Sequence, residues 1–199
     1  MIMKKFAILL LTALLACPLF ANEAEIRNIL NEFRNCTRNM QFDKYLSYTA
    51  TDYTGVTSEG KTITYEQISQ LPKLIALCND PGSKLSDVVI TAAIFAGEKP
   101  DEQEIAKIKN LDDTQEGKEQ AAALKKLFKD MLEGQKEIFK QAADSFKIIS
   151  IKVNGNTAVA VYNDFNPVKK RDQQTTATFA KRNGKWLLVR EITKILKGN

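Results

Sequence analysis

The 199-residue chain contains no histidine, and that absence narrows its chemistry first. Ser-His-Asp and Cys-His catalysis are removed, and so is His-liganded zinc. No glycine-rich phosphate loop is present, and no acidic cluster has calcium-loop spacing. What remains is acid–base chemistry by carboxylates and tyrosines. The groups that could perform it are Asp43, Tyr45, Tyr48, Asp52, Tyr53 and Tyr65 in one stretch, with Tyr162 and Asp164 in another. A plainer reading stands beside each: Asp43 as a helix cap, Asp52 as a turn residue, the tyrosines as half-buried aromatics. No metal site and no cofactor is expected.

The elements that must position these groups follow from spacing. Ile26, Ile29, Leu30, Phe33, Cys36, Thr37 and Met40 recur at helical intervals behind an Asn22/Glu25 capping box. Asp43 caps a brief turn over 44–47. Residues 52–63 read as a β-hairpin with its turn at Ser58-Glu59-Gly60. Thr64 with Gln67 opens the next helix, Pro72 restarts it after a kink, and it closes at Cys78. Residues 85–96 are rich in β-formers, yet their alanines and the terminating Gly97 favour helix. Pro100 opens another helix, with Asp101, Glu102 and Glu104 in its first turn. A long helix then runs from Asp112 or Thr114 to about Phe146. Its stripe (Leu124, Leu127, Phe128, Met131, Leu132, Gln135, Ile138, Phe139, Ala142) predicts core or inter-helix packing, and its spacing would also suit a homodimer.

The C-terminal run 147–193 predicts an antiparallel meander. One strand carries Ile148, Ile149, Ile151 and Val153 into a turn at Asn154-Gly155, and a return strand covers 157–163. A long excursion over 164–172 leads to a strand over 175–182, a turn at Asn183-Gly184, and a last strand over 185–193. In that last strand simple alternation sends Trp186, Leu188 and Ile192 one way and Leu187 and Val189 the other. Arg190 falls with the first set and Glu191 with the second; either could be a buried functional group, but a place near the strand end favours solvent.

Residues 1–21 have the form of a secretory signal peptide: Lys4 and Lys5, an apolar run from Phe6 to Ala16, Pro18, and cleavage expected after Ala21. A competing reading takes Leu14-Leu15-Ala16-Cys17 as a lipobox, which would anchor the chain through Cys17. Export predicts a periplasmic or secreted protein. Removing the leader lowers the net charge from +5 to +3, so the basic balance gives no case for nucleic-acid binding. Cys36 and Cys78 then remain, and an oxidising compartment favours a disulfide between them, worth about 4 kcal/mol in the chain-entropy model.

The order of helix, short helix, hairpin, helix and curved meander resembles the NTF2-like (SnoaL, ketosteroid isomerase-like) superfamily. The likeness is carried by the helix over 23–39, by FDKYLSYTATDYTGVTSEGKTITYEQI (42–68), and by the ending SIKVNGNTAVAVYNDF…TTATFAKRNGKWLLVREI (150–192). It implies an α+β fold: a cone-like curved antiparallel sheet packed on N-terminal helices, in one domain over 22–199. Residues 79–146 form an extended helical insertion relative to the family's compact form.

The resemblance also implies that the cone mouth holds a ligand and that the outer sheet face serves dimerisation. The pocket candidates are Tyr45, Tyr48, Tyr53, Tyr162, Trp186 and Arg190. None of the carboxylates or tyrosines matches a catalytic position of the superfamily, so no catalytic residue is assigned. The expectation is an exported, non-catalytic binding or interaction protein of the bacterial envelope, holding a small apolar ligand or a protein partner. The alternative is a Tyr/Asp acid–base enzyme of ketosteroid isomerase type.

Overall fold

Six strands form one sheet in the order β2-β1-β6-β5-β4-β3, seen in a computed structural model that describes residues 22–166 and 169–196. The strands are β1 (Thr49–Val56), β2 (Thr62–Thr64), β3 (Lys147–Asn154), β4 (Thr157–Asn166), β5 (Arg171–Arg182) and β6 (Lys185–Ile195). The expected signal peptide and the lipobox cysteine lie outside the described residues. The sheet is mixed rather than wholly antiparallel, because β1 pairs β6 in parallel. Two strands from opposite ends of the sequence meet there, with a helical excursion between them instead of a tight turn.

The β5–β6 hairpin turns on Asn183 and Gly184, both at positive φ (51° and 80°). That is the backbone a two-residue type I′ turn requires, and its twist matches the flanking strands. The expected excursion over 164–172 is shorter than predicted. β4 and β5 stay paired as far as Asn166↔Arg171, so Asp164 sits on a strand. Asp52 is likewise a strand residue, in a two-bond ion pair with Arg182 (2.8 Å each), and not in a turn.

The concave face is covered by α1, residues 22–39. Its Ile26, Ile29, Leu30 and Phe33 pack against Tyr53, Ala158, Ala160, Ala177, Phe179, Trp186 and Leu188. Small alanines on β4 and β5 let the helix settle into the curve while Phe179 fills its floor. Three short helices follow the core: α2 (Phe42–Leu46), α3 (Tyr65–Ile68) and α4 (Gln70–Asn79). The predicted Thr64/Gln67 capping box is present at α3. Pro72 lies in the first turn of α4, where a missing N–H costs no intrahelical bond.

The segment 85–96 is helical, as α5 (Leu85–Ala96), closed by Gly97 at φ +84°. Next come α6 (Glu102–Leu111), capped by Asp101, and α7 (Gln115–Ser145), capped by Thr114. Asp112 does not start α7. Its buried carboxylate instead accepts from Ser86 N (2.9 Å) and Ser86 Oγ (2.6 Å), supplying α5 with a cap from a distant part of the chain. The stripe on α7 is only partly used. Leu124 and Phe128 pack on a small cluster of Leu74, Cys78 and Val88, whereas Leu127 and Met131 are exposed.

The expected disulfide is absent: Cys36 and Cys78 are both free and buried. Cys36 sits on α1, while Cys78 belongs to the α4–α5–α7 cluster. Burial raises both thiols above their ordinary range, which keeps them protonated and slow to exchange.

Candidate functional site

The sheet buries one carboxylate, Glu191, and surrounds it with tyrosines. Tyr53 Oη donates to Glu191 Oε2 at 2.8 Å, and Tyr45 Oη donates to the same oxygen at 3.3 Å. Tyr162 Oη donates to Glu191 Oε1 at 2.6 Å. The three hydroxyls come from β1, α2 and β4, so the cluster ties both wings of the sheet to the short helix at its mouth. Gly55 makes the first contact possible. It lies opposite Glu191 in the parallel pair, and a Cβ on it would stand 2.5 Å from the Tyr53 hydroxyl.

A β-bulge explains why Glu191 points inward. Phe179 pairs with Leu188 and Thr178 with Arg190, leaving Val189 as an extra residue on β6. Trp186 and Leu188 therefore face the core as alternation predicts, but the bulge shifts the phase by one. Arg190 is turned to solvent and Glu191 is buried. The expectation that both reach solvent holds for Arg190 and fails for Glu191.

Of the six pocket candidates, the structure gathers Tyr45, Tyr53 and Tyr162 on one carboxylate. Tyr48 packs edge-on against Phe33 instead, at 6.0 Å. Trp186 is buried in the core with Lys181 Nζ 5.5 Å above its ring. Arg190 takes no part. Nothing in the sequence marks Gly55, while Glu191 and Asp164 stand there as acids without an evident partner.

Burial pushes Tyr45, Tyr53 and Tyr162 above the ordinary tyrosine range, and the negative charge of Glu191 adds to the rise. All three stay neutral donors wherever the fold persists. Their protons are lost on unfolding at high pH, so stability falls as pH rises above about 10, where the unfolded tyrosines ionise. An alkaline absorbance titration should therefore show these three of the five tyrosines ionising together with the unfolding transition. Titration of all five before unfolding would contradict the cluster.

Two cavities adjoin this cluster, and Thr37 and Tyr45 line both. The polar one, about 110 Å³, is walled by Phe33, Phe146 and Tyr162 and ends on Asp164. The apolar one, about 200 Å³, is formed by Phe42, Leu46, Ile68, Leu71, Phe95 and Phe139. Phe95 belongs to α5 and Phe139 to α7, so the helical segment 85–145 supplies the outer wall. The centre of the cone is filled by Phe33, Phe179, Leu188 and Trp186. With the centre filled, the free space lies in the two cavities beside the tyrosine cluster.

Asp164 is the unusual group here. Its Oδ1 is buried without a hydrogen-bond partner. Burial raises its carboxyl above the usual range; the Gln173 amide opposes that rise, and the charge of Glu191 adds to it. The folded chain therefore holds this proton to higher pH than the unfolded chain does. Stability contributed here falls as pH climbs from the ordinary carboxylate range, near 4, through the folded-state value. Asp164→Asn keeps the oxygen but removes a charge that burial and Glu191 disfavour, so it should raise neutral-pH stability by about 1 kcal/mol, a modest gain because the residue is half-buried. Urea unfolding at pH 7 reads this, and a loss of stability would contradict it.

No family model matches the chain, and no curated protein matches it. Solved structures do. An NTF2-like protein with a cystatin-like fold from Novosphingobium aromaticivorans is similar at 15% identity and TM-score 0.47, over 95% of this chain and 92% of that one. A domain of unknown function with a cystatin-like fold from Nostoc punctiforme has 9% identity and TM-score 0.45, over 89% and 79%. An NTF2-like protein of unknown function from Silicibacter pomeroyi has 10% identity and TM-score 0.44, over 88% and 97%. At these identities and scores the neighbours say nothing about activity. Two of these three are described as NTF2-like proteins, and the third as having a cystatin-like fold.

Proposed function

We propose that this is a non-catalytic binding protein for a small amphipathic molecule, held at the mouth of the sheet. The observation that carries this reading is the apolar chamber of Phe42, Leu46, Ile68, Leu71, Phe95 and Phe139, set beside a polar cavity. The chamber is smaller than the roughly 300 Å³ at which drug-sized sites begin, so the ligand is slight. The acid–base enzyme reading is weaker for a physical reason. Its donors would be tyrosine hydroxyls, and Tyr45, Tyr53 and Tyr162 already donate to Glu191. None of these three is left for a substrate oxygen.

The chamber is tested with octan-1-ol as a neutral probe, followed by NMR. Shifts confined to the surroundings of Phe95 and Phe139, and lost in Leu71→Trp, support the reading. A protein that shows no shifts overturns it. The leader expected over residues 1–21 supports an exported role in the bacterial envelope. Fractionation of the tagged full chain tests that role, and recovery from the cytoplasm alone would count against it.

A further inference from the structure

Resting on the chamber reading above, we propose that the ligand is an uncharged molecule whose apolar part is a single aromatic ring. Helices alone line the chamber, and four of its eight lining side chains are rings: Phe42 and Tyr45 from α2, Phe95 from α5 and Phe139 from α7. Phe42 and Phe139 stand edge to face, with centroids 5.7 Å apart and planes at 69°. A third ring entering beside this pair meets both a π face and a ring edge, the two surfaces that aromatic rings seek in one another. Such contacts favour a ring over an aliphatic group of equal area by about two- to tenfold.

Volume sets the size of the ligand. At about 200 Å³ the chamber is close to the apolar cavities of roughly 150 Å³ that admit benzene. A ring enters with few rotors to freeze, whereas a flexible chain of similar area loses freedom at each bond. Among the described residues no charged side chain lines the chamber. An ionised group would therefore lose its hydration there without a partner in return. Phe95 is 36% exposed, so the chamber reaches solvent beside α5 and the ring has a way in.

NMR titration of the folded chain at neutral pH tests this with benzyl alcohol, cyclohexylmethanol and benzoate, while octan-1-ol reports on the chamber itself. Benzyl alcohol should bind about threefold or more tightly than cyclohexylmethanol, although the saturated ring is the more hydrophobic of the two. Benzoate should bind about tenfold or more weakly than benzyl alcohol. Phe95→Leu keeps an apolar side chain at a partly exposed position and should narrow the preference for benzyl alcohol to below about twofold. Because that preference is a ratio within one variant, a general loosening of the chamber cancels, and the same spectra show that the variant is folded. Cyclohexylmethanol bound as tightly as benzyl alcohol, benzoate bound as tightly, or a preference undiminished in Phe95→Leu would each overturn the ring assignment. So would binding of octan-1-ol alone, and in all these cases the chamber reading stands if octan-1-ol binds. If none of the four probes binds, the chamber reading itself falls.

Discussion

Glu191→Ala should destabilise the fold by about 4 kcal/mol, the largest single effect expected outside the aromatic core. The side chain accepts three tyrosine hydroxyls, two of them at 2.8 Å or less. Removing it leaves those donors without an acceptor in space that water enters poorly, and opens a void between β1, β4 and α2. A domain has only some 5–15 kcal/mol to lose, so the variant approaches the limit of what can be purified. Glu191→Gln keeps the shape and one carbonyl oxygen, but its amide faces a hydroxyl that must turn to accept. Its cost should be about 2 kcal/mol. Urea unfolding of both variants measures the difference. A Glu191→Ala cost under about 1 kcal/mol would mean that the tyrosines find water or one another instead, and that the carboxylate does not organise the cluster.

This cluster marks where reading the sequence ran out. The helix over 22–39, the Thr64/Gln67 box, the helix ended by Gly97, and the Asn183-Gly184 turn all depend on local rules, and all were legible. Glu191 depends on one inserted residue. Alternation counted from Trp186 and Leu188 sends position 190 inward, and only the unpaired Val189 reverses that. A bulge of this kind is defined by the partner strand, so nothing within β6 announces it. The parallel β1–β6 pair was hidden for the same reason, since its partners stand more than a hundred residues apart. Tyr45, Tyr53 and Tyr162 were recognisable as candidates by type, but their convergence is a property of the assembled sheet.

The segment over 85–145 is legible as helix, and its packing only in part: Leu124, Phe128 and Phe139 find partners. Its apolar stripe predicts core or inter-helix packing, and Leu127 and Met131 are the members left exposed. A stripe states which face is apolar but not how much of it finds cover, and α4 and α5 are too short to cover 31 residues. The part that is covered serves two ends. Near its start, Gly117 lets α7 approach the Leu111 carbonyl, where a Cβ would stand 1.9 Å away. Near its end, Phe139 closes the apolar chamber.

Asp112 is the residue on which this helical unit turns, and Asp112→Ala should cost about 3 kcal/mol. The loss combines a helix cap, worth about 1–2 kcal/mol, with a buried Ser86 hydroxyl left without its 2.6 Å partner. Ser86→Ala should cost less, about 1–2 kcal/mol, because Asp112 Oδ1 keeps its bond from the Ser86 amide. The double variant should fall well short of the sum, since both changes remove the same hydroxyl bond. Hydrogen exchange would place the damage. Amides in the first turn of α5 and around the α6–α7 junction should exchange faster, while those of β5 and β6 keep their protection. Loosening α5 also moves Phe95, so octan-1-ol binding should weaken in step with the exchange. Faster exchange at α5 with unchanged octan-1-ol binding would show that the helical segment does not form the wall of the chamber.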